Sequence, residues 1–110
     1  MRVLVTGGRT FDKWRVVSAA LESANPKVII QGGAPGADAL ARKWADVHGI
    51  PTVSYIPNWS KGKKAGPMRN SFMLEDSRPD VVVAFPGGRG TEDMVLKADA
   101  AGIHVVKVTA

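Results

Sequence analysis

The feature that most constrains this chain is a regular alternation of two hydrophobic periods. Short apolar runs rich in β-branched residues recur at Val3–Val5 (within an Arg2–Thr6 strand), Val28–Ile30, Val53–Ile56, Val81–Ala84 and Val105–Val108. Continuous runs of this kind read as parallel strands covered on both faces. Between them, apolar residues fall at helical spacing: Trp14, Val17, Leu21 and Ala24, then Ala37, Leu40, Ala41, Trp44 and Val47, then Met94, Val95, Ala98 and Ala101. A shorter helix is predicted from Met68 to Leu74, and Gly49-Ile50-Pro51 and Gly102 mark helix ends. Strand and helix alternate throughout. The pattern predicts one α/β domain over residues 1–110, a Rossmann-like doubly wound fold. Its five-stranded, mainly parallel sheet carries helices on both faces, joined by right-handed crossovers.

Composition removes several alternatives. With 110 residues there is room for one core, and without cysteine neither a disulfide nor a thiolate metal site can support it. No apolar stretch approaches membrane-spanning length and no leader-like segment precedes the first strand, so a cytoplasmic protein with no membrane partner is expected. The net charge of +5 favours an anionic partner, whether a phosphorylated small molecule or nucleic acid. Two tryptophans on helical stripes, Trp14 and Trp44, are more than so thin a core should need, which points to core or interface roles and to a homo-oligomer.

Three strand-to-helix turns are rich in glycine: Thr6-Gly7-Gly8-Arg9, Gln31-Gly32-Gly33-Ala34-Pro35-Gly36-Ala37-Asp38, and Phe85-Pro86-Gly87-Gly88-Arg89-Gly90-Thr91. In a doubly wound sheet these turns share the edge beyond the strand C-termini, where ligands bind. Glycine lets a backbone approach an anion, and the following helix offers unpaired N–H groups. One such turn is explained by tight packing alone; three on one edge predict a phosphate site. The expected phosphate position is the start of the last helix, at Gly88, Gly90 and Thr91. The P-loop pattern is absent, since Gly62-Lys63 lacks the upstream glycine, and no dinucleotide fingerprint follows the first strand.

These motifs carry a resemblance. Gly7-Gly8-Arg9-Thr10-Phe11-Asp12, Gly32-Gly33-Ala34-x-Gly36-Ala37-Asp38, Gly62-Lys63-x-Ala65-Gly66-Pro67-x-Arg69-Asn70-x-x-Met73 and Pro86-Gly87-Gly88-x-Gly90-Thr91 resemble the small YspA-type members of the SLOG superfamily. That group joins the DprA (Smf) domain to the LOG phosphoribohydrolases. The resemblance covers nearly the whole chain and implies a Rossmann-like fold with a nucleotide-derived ligand. It also departs from the hydrolase pattern: where P-G-G-x-G-T-x-x-E places a catalytic glutamate, this chain has Met94.

The candidate ligand-binding residues are therefore Gly7, Gly8, Arg9, Gly32, Gly33, Gly36, Asp38, Lys63, Gly66, Arg69, Asn70, Pro86, Gly87, Gly88, Gly90 and Thr91. Arg9 and Arg69 are placed to clamp a phosphate, Arg69 with Asn70 at a helix start. Asp12 reads as a helix cap, Asp38 as either a cap or an acceptor for a ligand hydroxyl, and Thr91 as a cap that also donates to phosphate. Trp59, in the irregular stretch Pro57 to Gly66, either stacks on a base or pins that loop to the core. His48 and His104 have no partner spacing and read as structural. No catalytic residue, metal ligand or cofactor is assigned. The leading expectation is a binding or sensing module for a nucleotide-like molecule. A phosphoribohydrolase and a DprA-like module for single-stranded DNA are the alternatives, the latter weakened by few aromatics.

Overall fold

A computed structural model describes all 110 residues. The chain runs β1 (Arg2–Thr6), α1 (Trp14–Ala24), β2 (Val28–Gln31), α2 (Ala37–His48), β3 (Thr52–Ser54), a 3-10 segment (Trp59–Lys64), α3 (Ala65–Ser77), β4 (Val81–Ala84), α4 (Arg89–Ala100) and β5 (His104–Lys107). All five strands are parallel, in the order β3-β2-β1-β4-β5. This is the expected doubly wound architecture.

The period-2 alternation of a strand divides the core into two layers. Val3, Val5, Ile29, Val81 and Val83 pack beneath Val17 and Leu21 of α1 and Ala41, Trp44 and Ala45 of α2. Leu4, Ile30 and Val82 point the other way, onto Met73 and Leu74 of α3 and Met94 and Ala98 of α4. Each helix buries one stripe, and no helix is long and apolar enough to cross a membrane. Trp44 is a core residue, stacked on His48, while Trp14 is half-buried against the same layer with Lys43 over its ring. The chain's own core thus accommodates both helical tryptophans, which removes the reason for reading them as an interface.

Two segments differ from expectation. β3 stops at Ser54 instead of reaching Ile56. Tyr55 N–H still bonds Gln31 O, but the Tyr55 carbonyl accepts Arg69 Nη1 instead of continuing the ladder. α3 is nearly twice the expected length and is preceded by an ordered 3-10 turn, where only a loop was expected. Asn58 Oδ1 accepts both the N–H and the hydroxyl of Ser60, which fixes the turn, and Gly62 at φ 67° reverses the chain into α3. Pro67 fits the first helical turn because its missing N–H would have had no intrahelical partner there.

The strand order reverses at β1. Its successor β2 lies to one side, whereas β4 lies to the other, so the loops after β1 and β4 leave the sheet in opposite directions. A crevice opens between them, as such reversals require.

Candidate ligand-binding cleft

The crevice is a cleft of about 800 Å³. Its floor is the junction of two loops. Gly8 N–H donates to Pro86 O (2.9 Å), Phe85 N–H to Thr6 O (2.9 Å), and Gly8 O accepts from Phe11 and Ala37. A Cβ on Gly7 would collide with Ala37 Cβ, and one on Gly8 would lie 2.9 Å from Pro86 O. Gly8 and Gly87 are therefore glycine so that the two loops can touch each other, and Gly7 so that the first loop can pass the start of α2 and Phe85.

The walls come from four elements. Gly7, Gly8 and Arg9 follow β1, Asp38 begins α2, Gly66, Arg69 and Asn70 lie in the first turns of α3, and Pro86 through Thr91 lead into α4. All of these except Arg89 were expected from sequence. Gly32, Gly33, Gly36 and Lys63 were expected as well, but they do not line the cleft. Lys63 is exposed in the 3-10 segment. The three glycines lie in a loop whose Gly32, Gly33 and Ala34 N–H groups are already used. Asp38 Oδ2 accepts from Gly32 N–H (3.1 Å) and Ala34 N–H (3.3 Å), Gln31 Oε1 from Gly33 N–H, and Arg69 Nη1 donates to Gly32 O. That loop is held by the protein's own side chains and has no free N–H of Gly32, Gly33 or Ala34 for an anion.

The charged pair behind it is built into the fold. Asp38 is only 6% exposed, and burial pushes its carboxyl up to about 6, against the opposing pull of the Ala34 and Gly32 N–H groups, Arg69 and Arg9. Burial lowers the pKa of Arg69, an effect that Asp38 offsets and Arg9 reinforces. Arg69 Nη1 also reaches Tyr55 O and Nε reaches Asn70 Oδ1, leaving Nη2 without a protein partner. Asn70 differs from its expected role. Its Nδ2 donates to Gly90 O (3.1 Å) and Asp93 Oδ2 (3.0 Å), so both ends of the amide are occupied and it ties α3 to the start of α4. It positions the neighbouring groups and has no free N–H for an oxyanion.

Helix capping also departs from the sequence reading. Lys13, not Asp12, is the N-cap of α1, and only the Asp12 carbonyl takes part, accepting from Trp14 N–H. Gly88 is the N-cap of α4, which begins at Arg89, so Gly90 and Thr91 lie inside its first turn and no side chain caps it. The leading N–H groups of α4 accordingly have no intrahelical partner. Met94 is fully buried in the α3/α4 layer; Glu92 faces a separate recess beside β5, and Asp93 pairs with Lys97 at 2.8 Å. The side-chain carboxylates at the cleft are those of Asp12 and Asp38. No group of His, Asp or Glu side chains is arranged to hold a metal.

Sequence reasoning missed Arg89 and Lys13, both of which line the cleft. A signal was present. Lys13, Lys64 and Arg89 sit at the N-termini of α1, α3 and α4, where a cation opposes the helix dipole. Basic residues at three helix starts are unfavourable for the helices themselves, and two of them, Lys13 and Arg89, add positive charge to the cleft.

The fold and its motifs match known proteins. A family model described as the YspA, cpYpsA-related SLOG family matches residues 1–62. The chain belongs to this family. The Gene 61 protein of Mycobacterium phage D29 is 36% identical over 118 residues, covering 96% of this chain and 94% of that protein. Among solved structures, TM1055 superposes with a TM-score of 0.75 at 22% identity, over 94% of this chain and 71% of that one. The DNA processing protein DprA from Streptococcus pneumoniae gives 0.59 at 21% identity, over 96% of this chain and 58% of that one. MurG of Acinetobacter baumannii gives 0.57 at 16%, covering 96% and 34%. At these identities the structural likenesses establish the fold.

Proposed function

We propose that this SLOG-family chain is a binding or sensing module for a phosphate-bearing, nucleotide-derived small molecule, with the phosphate at the start of α4. One observation carries the reading. Of the twelve glycines, Gly7, Gly8, Gly32 and Gly87 are demanded by close packing, and Gly33, Gly36, Gly49, Gly62 and Gly102 by positive φ. Gly66, Gly88 and Gly90 have neither reason, since a Cβ on each would meet nothing within 4 Å. All three line the cleft. Glycine inside a helix costs about 0.5–1 kcal/mol relative to alanine, so Gly66 and Gly90 weaken their helices with no internal return. The room they leave suits a ligand approaching backbone N–H groups, with Arg9, Arg69 and Arg89 as countercharges.

N-glycosidic hydrolysis is not part of this reading, because the residue at the expected glutamate position, Met94, is buried and apolar. DprA is a DNA processing protein, and the basic 3-10 segment is the feature that would serve single-stranded DNA here.

The test is calorimetric titration with nucleoside monophosphates, cyclic nucleotides and ADP-ribose at low and physiological salt. Gly88→Val should lower affinity about a hundredfold while the protein stays folded, and Lys63→Ala should weaken it slightly and only at low salt. Normal binding by folded Gly88→Val, with complete loss in Lys63→Ala, would move the ligand to the basic segment and favour DNA. A ligand at one hundred times its Kd should stabilise the fold by about 2.7 kcal/mol, which a thermal-shift screen detects.

A further inference from the structure

We propose that Trp59 is the stacking platform for a single nucleobase, so that the cleft selects nucleotides over sugar phosphates; this rests on the cleft being the phosphate site. The three tryptophans are treated very differently. Trp44 is 3% exposed and Trp14 packs against the α1/α2 layer, whereas Trp59 is 59% exposed and belongs to neither core layer. No aromatic ring stacks on it and no cation lies over it. Pinning the loop is done by another residue, since Asn58 holds the turn through Ser60 and through its carbonyl to Lys61 N–H.

Its location separates it from other exposed apolar side chains. Within residues 57–66, only Trp59 and Gly66 line the cleft; Lys61, Lys63 and Lys64 do not. Phe72, equally exposed, stands edge-on to Tyr55 outside the cleft. Phe11 also lines it, but its ring is already stacked on Phe85 at 5.5 Å. Trp59 is thus the cleft's one aromatic face without an aromatic partner. The remaining lining is mostly glycine, charged and hydroxyl residues, which have no use for an exposed indole unless the ligand brings a flat apolar surface. A cleft of about 800 Å³ also exceeds what phosphate alone requires and falls within the roughly 300–1,000 Å³ typical of small-molecule sites. One platform suits one base, whereas a strand of nucleic acid needs successive rings.

The experiment titrates the wild type, Trp59→Ala and Trp59→Phe with AMP, GMP, CMP, UMP, ribose 5-phosphate and single-stranded oligothymidine, after circular dichroism confirms folding. Trp59→Ala should lose about fivefold or more in affinity for the tightest nucleotide and leave ribose 5-phosphate unchanged, while Trp59→Phe retains most of the affinity. Nucleotide binding should also quench indole fluorescence in the wild type more than in Trp59→Ala. Equal loss for nucleotide and sugar phosphate, no loss at all, or ribose 5-phosphate binding as tightly as any nucleotide overturns the proposal. Tighter binding of oligothymidine that depends on Trp59 overturns it in favour of a nucleic-acid surface. Binding of ribose 5-phosphate alone overturns the platform and leaves the phosphate site standing; binding of no probe removes both.

Discussion

The Gly32–Gly36 loop before α2 and the Gly87–Gly90 turn into α4 look alike in sequence and behave in opposite ways. In the first, protein atoms already occupy the space beside each glycine: a Cβ would meet the Arg69 guanidinium at Gly32, Ile56 at Gly33, and Gly8 O with Arg9 at Gly36. Its N–H groups are bonded to Asp38 and Gln31. In the second, Gly87 packs against Gly8 and Thr91, but Gly88 and Gly90 face open space and no side chain caps the helix start. A glycine-rich turn therefore has two physical meanings, a mould for the protein's own side chains or a vacancy for something else. Only the surroundings of each missing Cβ tell them apart.

The sharpest way to break this contrast is to fill one glycine of each kind. Gly36→Val, at φ 79° and against the backbone of Gly8 and Arg9, should cost about 2–4 kcal/mol of stability in urea unfolding. Gly88→Val should stay within about 1 kcal/mol of wild type, the penalty of a poorer N-cap, yet lose about a hundredfold in nucleotide affinity. Similar stability losses in the two variants would remove the distinction.

Asp38 tests the occupied loop by pH. Its folded carboxyl lies at about 6, above the ordinary value of 3.8, so the folded state holds that proton more tightly than the unfolded chain. The resulting stabilisation is complete below pH 3.8 and is lost as the pH rises through 6, amounting to about 3 kcal/mol. Thermal unfolding from pH 4 to 7.5 should show this decline in the wild type and a flatter profile in Asp38→Asn. Parallel profiles would mean that burial of the charge is relieved by another route.

Smaller effects sharpen the open side. Gly66→Ala and Gly90→Ala should each raise stability by about 0.5–1 kcal/mol and weaken nucleotide binding, a gain in fold at the expense of site. Lys63→Ala should leave stability within about 0.5 kcal/mol of wild type, and its effect on affinity should vanish at physiological salt. A Lys63 effect that survives high salt would place that side chain in direct contact with the ligand.

The architecture was largely readable from the chain because it depends on periodicity. Val3, Leu4 and Val5 must face alternate layers, and the helical stripes must cover them. Parallel pairing was expected from the alternation of strands and helices, although the order of strands was not derivable from it. The site was legible in outline, as Arg9, Asp38, Arg69 and the Pro86–Thr91 turn do converge. The misreadings share one cause: a hydrogen bond has a partner that sequence does not show. Asn70 looked like an oxyanion ligand until its amide was found joining Arg69, Gly90 and Asp93. For Asp38 the sequence left a helix cap and a ligand acceptor open; its Oδ2 accepts two backbone N–H groups of a loop four to six residues upstream, a structural role that sequence did not show. The ordered turn at Trp59 was missed because it depends on one side-chain contact, Asn58 to Ser60, rather than on any period.

The pairing of β1 with β4 has a consequence for how the cleft comes into being. Val3 lies beside Val81, and Arg2 N–H reaches Asp80 across 78 residues of chain. A nascent chain ending near residue 62 contains β1, β2 and β3 but no α4, so one wall of the cleft has yet to be synthesised. Contacts this distant in sequence form late and slow the search for the native topology. The walls of the cleft therefore come from both halves of the chain, and a ligand held between them would fasten the strand at the N-terminal end to the helix before the last strand.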